Sequence, residues 1–406
     1  MIGARWGWCF CVGAVVALAD PARAGVWGSQ PVIGIAGDYY TNPDLLAIQN
    51  TAESHGDLLV DAPTSYVGDG YKFTAQPSFR VSNAQGYSSL DSDYEHLNLI
   101  NEFDGPLSTL IINTGASQDS SLYRDYLLNG SRGVRRDGLS GDINWDRLLT
   151  ERLECDVDGS WSRVEYAHTT GLQTLVDYKF ASLSPGISWA MSERGKLTLS
   201  TAVSRYDSLD GLTRSLGGNA QIGFTQRLTE AWSMTATAGY SRANNTAHVE
   251  VPEYVVTPFG IFVVFVPERL ESHQNGSIYD VTAERKGERW TIDAVVSRLL
   301  TPTGFAFLSQ QQTYELKATW NASERWVLSG DLRRVTYRQP STTDTGIDDL
   351  RLDNVNLAAT WQWTDHWTAT FQVTRVMEKI NFPSRGLDSS GVSVQIARHF
   401  DWKSIE

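Results

Sequence analysis

The chain has 406 residues, of which 47 are acidic and 34 basic, and a mean hydropathy of −0.28. Its formal net charge of −13 argues against nucleic acid as a partner, because such partners select basic surfaces. Beyond the N-terminus no window offers the roughly 18 continuous apolar residues of a membrane helix. The 14 Trp, 16 Tyr and 14 Phe residues suit the aromatic girdles of a transmembrane β-barrel better than an ordinary soluble core.

The N-terminal segment has the features of a secretory signal peptide. An apolar run covers residues 6–18, and Ala22-Arg23-Ala24 has the small-x-small form of a cleavage site. We therefore predict a signal peptide over residues 1–24 and a single barrel domain over residues 25–406.

Between residues 31 and 400 apolar and polar residues alternate along segments of ten or more residues. A period of two predicts strands with one apolar and one polar face. We predict an all-β, transmembrane antiparallel β-barrel of about 18 strands, with 16 as the alternative and with both termini in the periplasm. The predicted strands cover residues 31–41, 56–66, 71–82, 92–103, 106–118, 137–147, 150–166, 178–191, 195–208, 215–227, 231–244, 275–286, 289–301, 311–322, 326–339, 350–363, 367–379 and 391–400.

A short turn recurs between the strands. Its copies at 229–232, 287–290, 323–326 and 364–367 begin with a small residue, continue with an acid and end with Trp. Short turns face the periplasm in outer-membrane barrels, and long loops face outside. The longer separators, at 42–55, 83–91, 119–136, 167–177, 245–274, 340–349 and 380–390, are therefore predicted to be external.

The polar face of strand 150–166 carries Glu154, Asp156 and Asp158. A row of charged carboxylates that faced lipid would be costly, so these acids are predicted to line a water-filled lumen. The other predicted lumen-lining charges are Asp280, Glu284, Glu315, Lys317, Asp331 and Arg333. Facing rows of opposite sign would set up a field across the pore; alternatively, charges on opposing walls satisfy each other.

Two external segments are candidate contact surfaces. Loop 119–136 carries Arg132, Arg135 and Arg136, which are either solvated or bind lipopolysaccharide phosphates or an anionic polymer. Residues 251–268 are nearly mirror-symmetric and predict a hairpin that extends strands 231–244 and 275–286 or folds over the mouth. Its exposed aromatic residues, Phe259, Phe262 and Phe265, either pack as a lid or dock a partner.

Catalytic and metal-binding motifs are not found in the sequence. The seven histidines form no metal-ligand pair, and there is no nucleophile elbow or phosphate-cradling loop. His168 and His248, near the predicted outer rim, are the only hint of a hydrolase. We therefore predict no enzyme activity and no cofactor.

The last predicted strand ends on Phe400, and a closing aromatic residue is typical of chains that the barrel insertion machinery recognises. Two further segments carry a family resemblance. Residues 34–43 read Gly-Ile-Ala-Gly-Asp-Tyr-Tyr-Thr-Asn-Pro, and residues 178–193 carry Ser-Pro-Gly within a strand followed by a Ser-Glu turn. Both resemble an outer-membrane β-barrel family found beside exosortase and exopolysaccharide genes in Gram-negative bacteria.

The resemblance implies a location in the outer membrane of a Gram-negative bacterium, among lipid and lipopolysaccharide. It also implies a role in exporting or anchoring a surface polysaccharide, with polysaccharide or periplasmic export components as partners. It supplies no catalytic residues. We therefore expect a passive channel or export conduit. The alternative is a non-conducting structural barrel whose outer loops bind polysaccharide or a partner.

Overall fold

The strands of the computed structural model form one continuous antiparallel sheet. The structure describes residues 25–42, 52–85, 94–120, 135–167, 175–257, 260–302, 308–338, 349–380 and 385–403. Among these residues no helix is long and apolar enough to cross a membrane. The strands are β1 (Val26–Ser29), β2 (Val32–Thr41), β3 (Ala52–Asp61), β4 (Thr64–Gly68), β5 (Tyr71–Gln85), β6 (Tyr94–Asp104), β7 (Ser108–Ser120), β8 (Arg135–Leu148), β9 (Leu153–Tyr166), β10 (Tyr178–Ser192), β11 (Gly195–Ser208), β12 (Thr213–Arg227), β13 (Trp232–Thr257), β14 (Gly260–Lys286), β15 (Trp290–Pro302), β16 (Leu308–Asn321), β17 (Trp326–Arg338), β18 (Asp349–Thr364), β19 (Trp367–Ile380), β20 (Arg385–His399) and β21 (Trp402–Lys403).

The sheet closes on itself as an 18-strand barrel. In the described residues β2, β3 and β5 to β20 each pair antiparallel with the next of these strands, and β20 pairs with β2 over ten residues. Of the short strands, β1 pairs with β4 and with β21, and β4 pairs with the first residues of the barrel strand β5. The prediction of 18 strands is confirmed. Val32 and His399 pair at the end of the barrel that carries the short turns; which side of a membrane that end faces stays a prediction.

Each barrel strand turns its apolar face outward. On β11, for example, Leu199 and Val203 are 56% and 61% exposed, whereas Thr198 and Ser200, on either side of Leu199, face the interior. An apolar outside and a polar inside is the arrangement expected where lipid lies outside and water inside. Strand alternation therefore places the polar side chains of each strand inside the barrel, where a functional site is to be sought.

The first residue of the recurring turn stabilises it through a hydrogen bond. The Thr229 hydroxyl accepts from the Trp232 N–H at 3.0 Å, and the Ser323 hydroxyl accepts from the Trp326 N–H at 3.2 Å. Ser and Thr side chains favour turns in this way. The tryptophans that follow form a ladder around the short-turn end: Trp290 stacks on Trp320 at 5.2 Å between ring centroids, and such aromatic rims are typical of a membrane–water interface.

Segment 245–274 is not a loop, which corrects the predicted strand boundaries. β13 and β14 run through it as 26- and 27-residue strands, paired from Trp232 with Arg285 to Thr257 with Gly260. β12 pairs with β13 only as far as Ala247, so among the described residues the rest of the hairpin has no paired strand on that side. The polar residues of 245–250 and 268–274 suggested a loop, but they remain extended because the two strands bond to each other. The hairpin does extend the two predicted strands.

Candidate functional site

One wall of the lumen is acidic. We call the inward-facing carboxylates of β8 and β9 the acidic wall: Asp142, Asp146, Glu154, Asp156 and Asp158. The register places Asp146 beside Asp156 and Asn144 beside Asp158, and the Asn144 amide donates to the Asp158 carboxylate at 2.6 Å. Lys196 Nζ on β11 lies 2.9 Å from Glu154 Oε2. The three acids predicted on strand 150–166 therefore share one face with two that the prediction missed.

A second wall, on β14 to β17, carries both signs. We call its inward-facing charges the mixed wall: Asp280, Glu284, Lys286, Asp293, Glu315, Lys317, Asp331 and Arg333. Lys317 pairs in register with Asp293 on one side and Asp331 on the other, and its Nζ lies 2.6 Å from Glu315 Oε1. A cavity of about 410 Å³ opens over this wall, lined by Ser233, Thr235, Thr282, Glu284, Asp293, Val295, Glu315 and Lys317.

The expectation of facing rows of opposite sign is not met. The acidic wall has five acids with Lys196 nearby, and the mixed wall, seven strands further round, has five acids and three cations. Within the described residues the ion pairs of Glu154, Glu284 and Glu315 each stay on their own side of the lumen. Both walls are therefore net negative. The missed acids follow the alternation of residues 137–147 and 289–301, and counting every inward position would have found them.

The charged level of the lumen is open to solvent. The side chains of Glu284 and Lys317 are 32% and 55% exposed, although they face the interior of a closed barrel. We call this half of the interior, nearer the short turns, the lower lumen. Its side chains are hydrated rather than packed.

The other half, the upper lumen, is narrowed by the ends of β15 and β16. Pairing between β14 and β15 stops at Tyr279 and Arg298, although both strands continue. Beyond that point Leu308 lies on the same strand face as Tyr314 and Leu316, which are exposed outside the barrel. Leu308 is nevertheless 0% exposed, so the β15–β16 end has moved inside the wall.

The inside position of Leu308 is shown by its neighbours. Leu308 Cδ1 lies 3.1 Å from the position that a Cβ on Gly217 would take, and Gly217 faces inward on β12. Leu308 belongs to one buried apolar cluster with side chains of β9, β10, β11 and β13. We call it the upper-lumen cluster: Val164, Tyr166, Tyr178, Tyr206, Ala243 and Leu308. Tyr178 and Tyr206 stack within it at 5.1 Å between ring centroids.

Hydrogen bonds hold the inward-folded end. Arg298 Nη2 donates to Gln310 Oε1 at 2.6 Å, and Gln310 Nε2 donates to the Ser277 carbonyl at 3.4 Å across the split between β14 and β15. A Cβ at Gly276 would lie 2.8 Å from Gln310 Nε2. A glycine at this position therefore allows Gln310 to approach β14 closely.

A buried charge network lies on β2, β3 and β5. Arg80 Nη2 contacts the carboxylates of both Asp38, at 2.6 Å, and Asp57. Glu53, almost fully buried, lies 3.5 Å from His55 Nε2. Sequence reasoning missed this network because its acids and its arginine lie on three strands, and only the register of β2 with β3 and of β3 with β5 brings them together.

The predicted outer contact residues lie in different environments. Arg136 is buried and makes two hydrogen bonds of 2.9 Å to Asp119; its role as an external contact stays a prediction. Arg135 is exposed and lies 3.6 Å from Asp137. Arg132 and Phe259 fall outside the described residues, as do the side chains of Phe262 and Phe265.

The possible hydrolase site at the outer rim rests on His168 and His248. His248 is exposed on β13, and its N–H donates to the Leu212 carbonyl; His168 lies outside the described part of the chain. In that part no group of three or more His, Cys, Asp or Glu residues is arranged to hold a metal ion.

The chain has similar proteins among the solved structures. No family model matches the chain. No curated protein matches it either. Among solved structures it is similar to OpdK of Pseudomonas aeruginosa with vanillate (12% identity, 92% of this chain and 99% of that one, TM-score 0.45). It is also similar to a BenF-like porin from Pseudomonas fluorescens (9%, 93% and 99%, 0.46) and to the ferric citrate transporter FecA (10%, 92% and 78%, 0.44).

Proposed function

We propose that this protein is a passive channel of the outer membrane of a Gram-negative bacterium. The observation that carries the proposal is a closed 18-strand barrel whose lower lumen is lined by hydrated charges. Barrels of 16 to 18 strands enclose an aqueous channel rather than a packed core. The exposed apolar outer face and the tryptophan ladder support its placement in a bilayer.

The channel is proposed to prefer small cations. Both walls of the lower lumen are net negative, and rings of carboxylates select cations by raising their local concentration. The upper-lumen cluster narrows the upper lumen. The size limit for solutes is therefore set in the upper lumen, and the charge preference is set in the lower lumen.

The test is the current through the refolded protein in a planar bilayer with unequal KCl on the two sides. We expect a stable ohmic current whose reversal potential has the sign of K⁺ selectivity. A silent bilayer in which the inserted protein is detected by protease protection would overturn the channel and favour the non-conducting docking barrel.

A role in exporting or anchoring surface polysaccharide is the more specific form of this proposal, and only the family resemblance supports it. Its test is a chromosomal deletion in the native bacterium, scored for surface polysaccharide. An unchanged polysaccharide layer, together with a lost small-cation current, would leave the channel and remove the polysaccharide role.

A further inference from the structure

The outward face of β9 to β13 changes character near the long-loop end. On three of these strands the next outward residue after an exposed apolar side chain is an arginine: Arg163 follows Trp161, Arg205 follows Val203, and Arg242 follows Tyr240. We call the outward cations of these five strands the cationic belt: Arg163, Lys179, Arg205, Arg214 and Arg242. The register sets Lys179 directly beside Arg163, and Asp207 lies between Lys179 and Arg214.

The belt is positive on an acidic protein. Its five cations face two outward acids, Glu165 and Asp207, whereas the whole chain has a net charge of −13. Arg205 and Arg214 share Asp207, at 2.5 and 3.6 Å. Within the described residues neither Lys179 nor Arg242 lies within 4.0 Å of a carboxylate. Positive charge that lies beside the apolar outer surface favours an anionic partner.

An apolar groove adjoins the belt. A cavity of about 420 Å³ lies on the outer face of β12 and β13, lined by Leu216 and Tyr240 and by Arg242, which the register places directly beside Gly218. Gly218 forms part of its floor, and a Cβ there would meet nothing nearer than the Ala202 carbonyl at 3.7 Å. The groove is therefore open because Gly218 has no side chain, and a larger residue would fill it.

We propose that the cationic belt and the Gly218 groove together bind one phosphorylated, multiply acylated glycolipid of the outer leaflet, of the lipid A type. The phosphates lie against Lys179, Arg214 and Arg242, and one acyl chain lies in the groove. The inference rests on the membrane placement in the proposed function, but not on ion conduction.

The chemistry favours this occupant over others. A soluble anion would not use an apolar groove, and a zwitterionic phospholipid carries no net charge to match the belt. Arginine and lysine bind phosphate through charge-assisted hydrogen bonds, and each contributes about tenfold or less to the affinity for an anionic lipid. A lipid with two phosphates can engage several belt residues at once.

The experiment titrates the full-length protein, purified in a zwitterionic detergent, with diphosphoryl lipid A and follows bound lipid by native mass spectrometry. We expect the triple variant Lys179→Gln, Arg214→Gln, Arg242→Gln to bind on the order of a hundredfold more weakly. The matched control removes three outward arginines at the short-turn end: Arg147→Gln, Arg285→Gln, Arg398→Gln. It should bind as the wild type does.

Two further arms separate phosphate from acyl recognition. Gly218→Phe should weaken binding of diphosphoryl lipid A several-fold while the barrel folds and conducts normally. Lipid A stripped of both phosphates should bind the wild type as weakly as diphosphoryl lipid A binds the triple variant. Equal binding of the stripped lipid, or equal losses in the triple variant and its control, overturns the inference. Lost conductance with lipid binding intact would instead count against the proposed channel.

Discussion

The two halves of the lumen are built from the same strands, yet one is hydrated and the other is packed. In the lower lumen the charged side chains of the mixed wall remain exposed, and in the upper lumen Tyr206 and Leu308 are completely buried. Alternation along each strand is the same in both halves. What differs is the inward-folded end of β15 and β16, which brings a second layer of side chains against the wall. Strand pattern decides which residues face inward, and the strand ends decide whether water reaches them.

The largest expected effect comes from expelling that end. Leu308→Asp would bury an unpaired carboxylate in the upper-lumen cluster, at a cost of several kcal/mol, so the β15–β16 end should leave the lumen. We expect a large rise in single-channel conductance, measured in planar bilayers. Leu308→Met keeps the apolar contact and should conduct as the wild type does. An unchanged current in Leu308→Asp would mean that the upper-lumen cluster does not limit the pore.

The charge of the lower lumen gives the next largest effect. Replacing Asp142, Asp146, Asp156 and Asp158 by Asn removes four of the acids that make the acidic wall negative. The K⁺ preference should fall but not vanish, because the mixed wall stays net negative, and the reversal potential in a KCl gradient should move towards zero. The control replaces the outward acids Glu165 and Asp207 by their amides. If both variants shift the reversal potential alike, selectivity arises outside the lumen.

The barrel itself could be predicted from the sequence, because alternation over ten or more residues marks the strands one by one and the recurring Trp turn marks four of the connections between them. The inward-folded end could not, because Leu308 alternates in phase with the outward Tyr314 and Leu316. Nothing local distinguishes a strand end that stays in the wall from one that leaves it. The split depends on Gly276 and Gly217, which leave room for Gln310 and Leu308 from distant parts of the chain.

The charged residues illustrate the same limit. Strand phase was enough to place Glu154 and Lys317 inside, since only one face of each strand is polar. It could not tell that Arg136 is neutralised by Asp119, because that pair forms only when β7 and β8 align. The side of the strand that a residue faces follows from the local sequence, whereas its ion-pair partner depends on a second strand.

Gly276→Ala should have a smaller effect, confined to the boundary between the two halves of the lumen. The added methyl would meet Gln310 Nε2, the end of a flexible side chain, so Gln310 should shift and weaken its bond to the Ser277 carbonyl. We expect a loss of about 1 kcal/mol in stability and a noisier current, followed by urea unfolding and bilayer recording. Gly56→Ala, where nothing lies within 4 Å, is the matched control. A noisy current in both variants would show that Gln310 does not hold the β15–β16 end.

The smallest effect is expected farthest from both halves, in the recurring turn. Thr229→Ala removes the hydroxyl that accepts from the N–H groups of Ala231 and Trp232. The turn is exposed, so water replaces the lost acceptor and the loss should be about 0.5–1 kcal/mol in the free energy of unfolding, with conductance unchanged. Glu230→Gln, which keeps that hydroxyl, should be close to neutral. A conductance change in Thr229→Ala would mean that the turns do more than join strands.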